Sequence, residues 1–294
     1  MGRIAAFVRL GRPLFLGGGF LMYGLGAAIA GITDVRRFLL GQLAVTAFQL
    51  MTHYANEYFD FAADCANTTP TRWSGGSRVL VAGDLPREVA LVAALVLAAL
   101  GIATTIALRD TGAGALLALI LALAWTYSAP PVRLCARGAG ELDTAIVVTM
   151  LVPILAFHLQ QPALASTRTL AAALVAPALL QLAMLLAIEL PDATGDARCG
   201  KRTLVVRLGR ARTAQLYIAL TALAYLWLPL AAVLALLPPH VALAAALPAP
   251  VAISRCVRMY RDHDDATAYE RLALFAVLLL VATSACELVA FLVR

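Results

Sequence analysis

Charge is scarce in this 294-residue chain: 14% of residues are Asp, Glu, Lys or Arg against 62% apolar, and the mean hydropathy is +0.85. So little charge excludes a soluble globular domain and leaves a polytopic membrane protein. Absent too are any Cys-x-x-C pair and any linker or low-complexity segment between the apolar runs. Cys65, Cys135, Cys199, Cys256 and Cys286 therefore read as reduced thiols rather than a disulfide or zinc framework, and residues 1–294 as a single domain. The opening MGRIAAFVRLGRP carries no small-residue cleavage site, so it reads as a retained lead into a first span. A net charge of +6 needs no nucleic-acid partner, since anionic lipid and an anionic substrate account for it.

What is present is a series of long uncharged runs, at 13–33, 38–59, 89–108, 111–132, 144–162, 169–190, 213–237, 239–255 and 272–293. Each is near the ~20 residues that cross a bilayer as a helix, so the expected fold is all-α, about nine transmembrane helices around a central cavity. Pro248 and Pro250 interrupt the eighth run. With the amino terminus cytoplasmic, 18 of the 23 basic residues fall on that side, leaving Arg36, Arg37, Arg109, Arg168 and Arg294 outside, a bias that sets the topology. Every acidic residue except Asp34, Asp110 and Glu287 falls on the same cytoplasmic side. Chemistry is expected there, under loops 60–88, 131–143, 191–212 and 256–271.

Two polar stretches stand out against this background. In QLMTHYANEYFDFAAD, read as a helix, Gln49, His53, Asn56, Asp60 and Asp64 rise along one face. At the end of the sixth run, Glu189, Asp192 and Asp196 follow Gln181 at helical spacing, with Pro191 interrupting and Lys201 and Arg202 just beyond. Buried carboxylates cost ~2.5–3.5 kcal/mol each at a helix centre when unpaired. Two such rows on one membrane side are best explained by shared cations, and Mg²⁺ suits carboxylates joined by substrate phosphate oxygens. The residues point to an enzyme or carrier that handles a diphosphate with an apolar tail.

Other signals are weaker. Gly17, Gly18, Gly19, Gly24 and Gly26 in the first run suit close helix packing. The loop DCANTTPTRWSGGSRVLVAGDLP could fold over the site and offer Arg72, Arg78 and backbone amides to an anion, or be solvated. YSAPPVRL places Tyr127 and Arg133 at another helix end. His158, beside Gln160 and Gln161, reads as an interfacial or packing residue.

NEYFDFAAD, YSAPPVRL and ELPDATGD running into GKRTLVVRLG, with the opening GRPLFL, resemble the signature segments of the UbiA-type intramembrane prenyltransferase superfamily. The resemblance implies that Asn56, Asp60 and Asp64 hold one Mg²⁺ and that Asp192 and Asp196, with Glu189 as a further candidate, hold another. It implies that Asp60, Asp64, Asp192 and Asp196 are the catalytic acids. Lys201 and Arg133, with Arg72 or Arg78, would bind the diphosphate of an isoprenyl donor, and Tyr127 would either shield the allylic cation or pack at the interface. TRWSGGSRVLVAGDLP looks more like the menaquinone branch, which would place the protein in quinone biosynthesis with 1,4-dihydroxy-2-naphthoate as the aromatic acceptor, or like a relative of that branch. A terpene cyclase on the same scaffold and a non-catalytic lipid carrier are the alternatives. The expected location is an integral membrane protein, in the inner or plasma membrane if bacterial.

Overall fold

Within lipid, a backbone satisfies its N–H and C=O groups only by pairing them internally, so the long apolar runs become helices. The computed structural model describes residues 2–160 and 166–293, and among them there is no strand. Gln161 and Arg294 lie outside the described residues.

The chain runs through α1 (Arg3–Leu10), α2 (Leu16–Ala30), α3 (Val35–Phe59), α4 (Phe61–Ala66), α5 (Arg87–Leu108) and α6 (Thr111–Ser128). It continues with α7 (Gly140–Ile146), a single π-helical turn at Val147–Leu151, α8 (Val152–Leu159), α9 (Ser166–Ala173), α10 (Val175–Glu189), α11 (Ala193–Arg198) and α12 (Leu204–Leu208). Last come α13 (Arg210–Val233), α14 (Pro239–Ala246), α15 (Ala249–Asp262) and α16 (Tyr269–Leu292).

Seven stretches among the described residues are long and apolar enough to cross a membrane, or eight if α14 and α15, bent by 41° at Leu247–Pro248, form one span. Against about nine expected, the missing run is α3. It is 25 residues long, but Gln42, Gln49, His53, Asn56 and Glu57 lower its hydropathy. The helix that carries the site is thus too polar to be counted by composition.

The helices form two groups around a cavity. α3 packs on α5 and α6; α10 packs on α13 and α16, and α16 on α14. α2 joins the groups by touching α3, α8 and α16. It approaches α8 so closely that a Cβ on Gly26 would overlap the backbone of Pro153, which is the packing role expected of that glycine. The larger core contains Tyr23, Leu155, Leu186 and Leu228, and a smaller one contains Leu10, Met51 and Tyr54. Val96, Ile106, Leu226 and Leu243 stand exposed on the outside, as lipid-facing side chains should.

At the end away from the acidic rows, polar groups tie loops together. Asp110 caps α6 through the N–H of Ala113, pairs with Arg37 at 3.3 Å and meets His158 Nε2 at 3.0 Å. Gln160 Oε1 accepts from the N–H groups of Thr33 and Asp34. His158 is therefore part of a structural clasp.

Candidate functional site

Gln49, His53 and Asn56 climb one face of α3, and the regular helix then stops. Asp60 leaves helical geometry (φ −94°, ψ 4°), and α4 begins at the next residue. The continuous helix expected through Asp64 is thus broken at Asp60, yet all five polar side chains line one cavity of about 770 Å³. From the opposite group of helices, Gln181 and Glu189 on α10, Asp192 in the turn after Pro191 and Asp196 on α11 line the same space. Tyr127 and Lys201 line it as well. Below this polar rim the wall is apolar, with Phe20, Phe48, Ile120, Met184 and Leu280.

Lys201, the only lysine in the chain, joins the two rows. Its Nζ lies 3.1 Å from Asp60 Oδ2 and 3.1 Å from Asp196 Oδ1. Burial works against a charged lysine, but these two carboxylates outweigh it and hold its pKa well above the ordinary value. Asp60 also accepts from Asn56 Nδ2 at 2.8 Å, with Cys135 Sγ at 3.8 Å and Arg133 Nη2 at 3.8 Å. Asn56 in turn donates to Ser128 at 3.0 Å, which sets the orientation of its amide.

Asp192 accepts from Asn67 Nδ2 and from the N–H of Gly75, so α4 and the following loop hold the second row in place. Thr69 Oγ1 adds a bond to the carbonyl of Pro191 at 2.9 Å. Burial, then the charges of Glu57 and Asp60, pushes Asp64 up to about 8. Burial, then Asp196, pushes Asp192 up to about 7, and burial raises Asp196 despite Lys201. This is how carboxylates behave when crowded together in a low dielectric.

The residues fit magnesium. No three His, Cys, Asp or Glu side chains among the described residues converge into a ready-made cage. Mg²⁺ seldom wants one, because it keeps several waters and binds through one or two carboxylates plus substrate phosphates. The donors are oxygens, Glu189 Oε2 is buried without a hydrogen-bond partner among the described residues, and Gly76 leaves room that a Cβ would take from Asp64.

The loop expected to cover the site does so in part. Trp73, Ser74, Gly75 and Gly76 line the cavity, and Gly75 and Gly76 adopt φ of +75° and +70°, which favours glycine. The arginines of this loop turn elsewhere. Arg72 is exposed, its guanidinium stacked 5.9 Å from its neighbour Trp73 and its N–H bound to Glu270, and Arg78 reaches the backbone carbonyl of Asp64. Neither lines the cavity, because each is used to hold the loop. Residues 256–271 comprise the end of α15, a short connection and the start of α16; none of them lines the cavity, and Glu270 accepts from the backbone N–H of Arg72.

Three groups lay beyond the sequence reading. Arg12 lines the cavity and donates to the carbonyl of Trp73 at 3.0 Å; Asn67 braces Asp192; Asp143 enters from α7. The Arg-Pro pair at residues 12 and 13 was a visible signal for the first. Nothing in the sequence marked the other two.

Similarity to known proteins agrees with this geometry. The UbiA prenyltransferase family matches residues 19–280. The chain is 35% identical over 191 residues to a 1,4-dihydroxy-2-naphthoate octaprenyltransferase of Mycobacterium tuberculosis, a match spanning 63% of each chain. It is 38% identical over 84 residues, 26% of each chain, to a digeranylgeranylglyceryl phosphate synthase of Archaeoglobus fulgidus. The chain thus spans less than two thirds of either relative's length. Among solved structures, a UbiA homologue of Archaeoglobus fulgidus bound to GPP and Mg²⁺ has a TM-score of 0.64 at 15% identity, covering 96% of this chain and 99% of that one. An apo UbiA homologue of Aeropyrum pernix reaches 0.69 at 19% identity, covering 91% and 95%. At such identities the structural likeness concerns the fold.

Proposed function

This chain belongs to the UbiA prenyltransferase family, and from that premise we propose that it moves an isoprenyl chain from an allylic isoprenyl diphosphate to an acceptor inside the membrane, in a Mg²⁺-dependent reaction. The observation that carries this reading is the meeting of Asp60 and Asp64 with Asp192 and Asp196 at the rim of one apolar cavity. A diphosphate head suits the rim and a hydrocarbon tail suits the wall below it.

Asn56, Asp60 and Asp64 would hold one ion, and Asp192 and Asp196, with Glu189, the other. Bound Mg²⁺ supplies positive charge where the leaving diphosphate develops its negative charge. The chain's own residues do the rest. Lys201 adds a fixed cation beside Asp60 and Asp196, and Arg133 a second, 3.8 Å from Asp60, so the departing oxygen meets preorganised charge. The apolar wall and Trp73 exclude water, which would otherwise capture the allylic cation. Tyr127, beside the rim, presents a π face suited to that cation.

For the acceptor, the longer of the two relative matches supports a hydroxynaphthoate such as 1,4-dihydroxy-2-naphthoate, and hence a place in quinone biosynthesis. The amino terminus and the rim face the cytoplasm in this reading, in keeping with the arginine bias. The test is to incubate membranes containing the protein with isoprenyl diphosphates of several lengths, Mg²⁺ and a panel of phenolic and naphthoic acids, and to identify products by mass. An acceptor carrying the added isoprenyl mass is expected. A cyclised hydrocarbon formed from the donor alone would replace transfer with cyclisation.

A further inference from the structure

The cavity holds one carboxyl that the diphosphate site does not use. Asp143, on α7, lines the cavity with 6% of its surface exposed, and its Oδ1 is buried with no hydrogen-bond partner among the described residues. The ion pairs of the site stop at Lys201 and Arg133. An unpaired carboxyl inside a membrane is costly and is normally kept for a purpose.

Its position follows from the packing of α7. Gly140 opens that helix against Cys135 and Tyr127, and Cys135 Sγ lies 3.8 Å from Asp60. Gly140 therefore stands level with the acidic rim. From there the polypeptide runs on through the π turn and α8 to Gln160, at the opposite end of the bundle. Three residues of helix rise ~4.5 Å, so Asp143 stands about one turn deeper than the rim. A diphosphate held at the rim with its tail below places its reacting carbon at that depth. The π turn that follows at Val147–Leu151 is a distortion often associated with functional sites.

We propose that Asp143 binds the acceptor: its carboxylate accepts the hydrogen bond of an acceptor hydroxyl and takes that proton as the new bond forms. The inference rests on the transfer reading above. In the step, the allylic C–O bond breaks with its electron pair leaving on the diphosphate. The acceptor attacks the allylic carbon, and its hydroxyl proton passes to Asp143 and from there to water at the mouth. When a ring carbon attacks, the resulting dienone regains its aromatic hydroxyl by moving the ring proton to oxygen. A ring hydroxyl and a glycerol hydroxyl satisfy the same geometry.

The variant Asp143→Asn keeps the shape and removes the base. With whichever acceptor the wild type uses, from that panel or from glycerophosphate ethers added to it, the turnover number for transfer is expected to fall by about 100-fold. Mg²⁺-dependent affinity for geranyl diphosphate should stay within about twofold of wild type, because the rim is intact. Asp143→Glu should recover part of the transfer. Equal transfer by wild type and Asp143→Asn overturns the inference and leaves the transfer reading standing. Loss of donor binding together with transfer overturns it too, since the residue would then act at the rim or in folding. If wild type modifies no acceptor, both readings fall.

Discussion

Lys201 Nζ sits 3.1 Å from Asp60 Oδ2 and 3.1 Å from Asp196 Oδ1, one cation shared by carboxylates from two helix groups. It ties the start of α4 to α11. Lys201→Met should cut transfer by about 100-fold or more, as loss of a preorganised charge at a transition state commonly does. It should also lower the melting temperature in EDTA, with Mg²⁺ restoring most of the loss. A melting temperature in EDTA equal to wild type would show that the bridge does not hold the halves together.

Asp60→Ala and Asp192→Ala each remove a carboxylate from one row. Each should abolish Mg²⁺-dependent transfer of a radiolabelled isoprenyl chain while the protein stays folded in detergent, judged by gel filtration. Full activity in either variant would refute the assignment of the rim.

Burial of these carboxyls sets the sign of the pH dependence expected when metal is removed. Asp64 and Asp192 are raised to about 8 and about 7 from an ordinary value of 3.8. Groups raised on folding contribute stability in full below their unfolded pKa, and lose it as pH rises through the folded one. Metal-free protein should therefore melt at lower temperature as pH climbs from about 4 to 8, with Mg²⁺ raising the melting temperature most at the upper end. Calorimetric titration near pH 6 in two buffers of different ionisation enthalpy should register protons released by Mg²⁺. Binding with no proton release would contradict these shifts.

Gly76 combines φ of +70° with a site where a Cβ would overlap Asp64. Gly76→Ala should cost about 1–2 kcal/mol from the backbone alone and should weaken Mg²⁺ binding further by displacing the carboxyl. The comparison is Gly83→Ala, with φ of +73° but nothing within 4 Å, which should carry the backbone cost and leave Mg²⁺ affinity unchanged.

Arg72 separates the loop's structural and chemical roles. Being exposed and turned away from the cavity, Arg72→Ala should change transfer by less than about twofold. A loss near that of Lys201→Met would mean that the loop closes on substrate and carries the guanidinium inward.

The helices and the two acidic rows could be read directly, because apolar runs about 20 residues long and carboxylates at helical spacing are local properties. Gln49 to Asp64 and Gln181 to Asp196 all reach one cavity as their spacing suggests. The break at Asp60 was not readable, since no Gly or Pro marks it; the helix is interrupted where its side chain is held by Lys201, Asn56 and Cys135. That Arg72 and Arg78 lie outside the cavity was unreadable for a related reason, because a guanidinium in a turn-rich loop serves an anion or a backbone carbonyl equally well.

Composition and spacing alone determined that this is an all-helical membrane protein with two rows of oxygen donors, because hydropathy and helical period are written residue by residue. Only the tertiary structure decided that Lys201 bridges the rows, that Asn67 and Gly75 brace Asp192, and that Asp143 Oδ1 is buried in the wall without a partner among the described residues. Those relations join residues up to 141 positions apart, and pairings at that range are set by how helices pack, which no local pattern records.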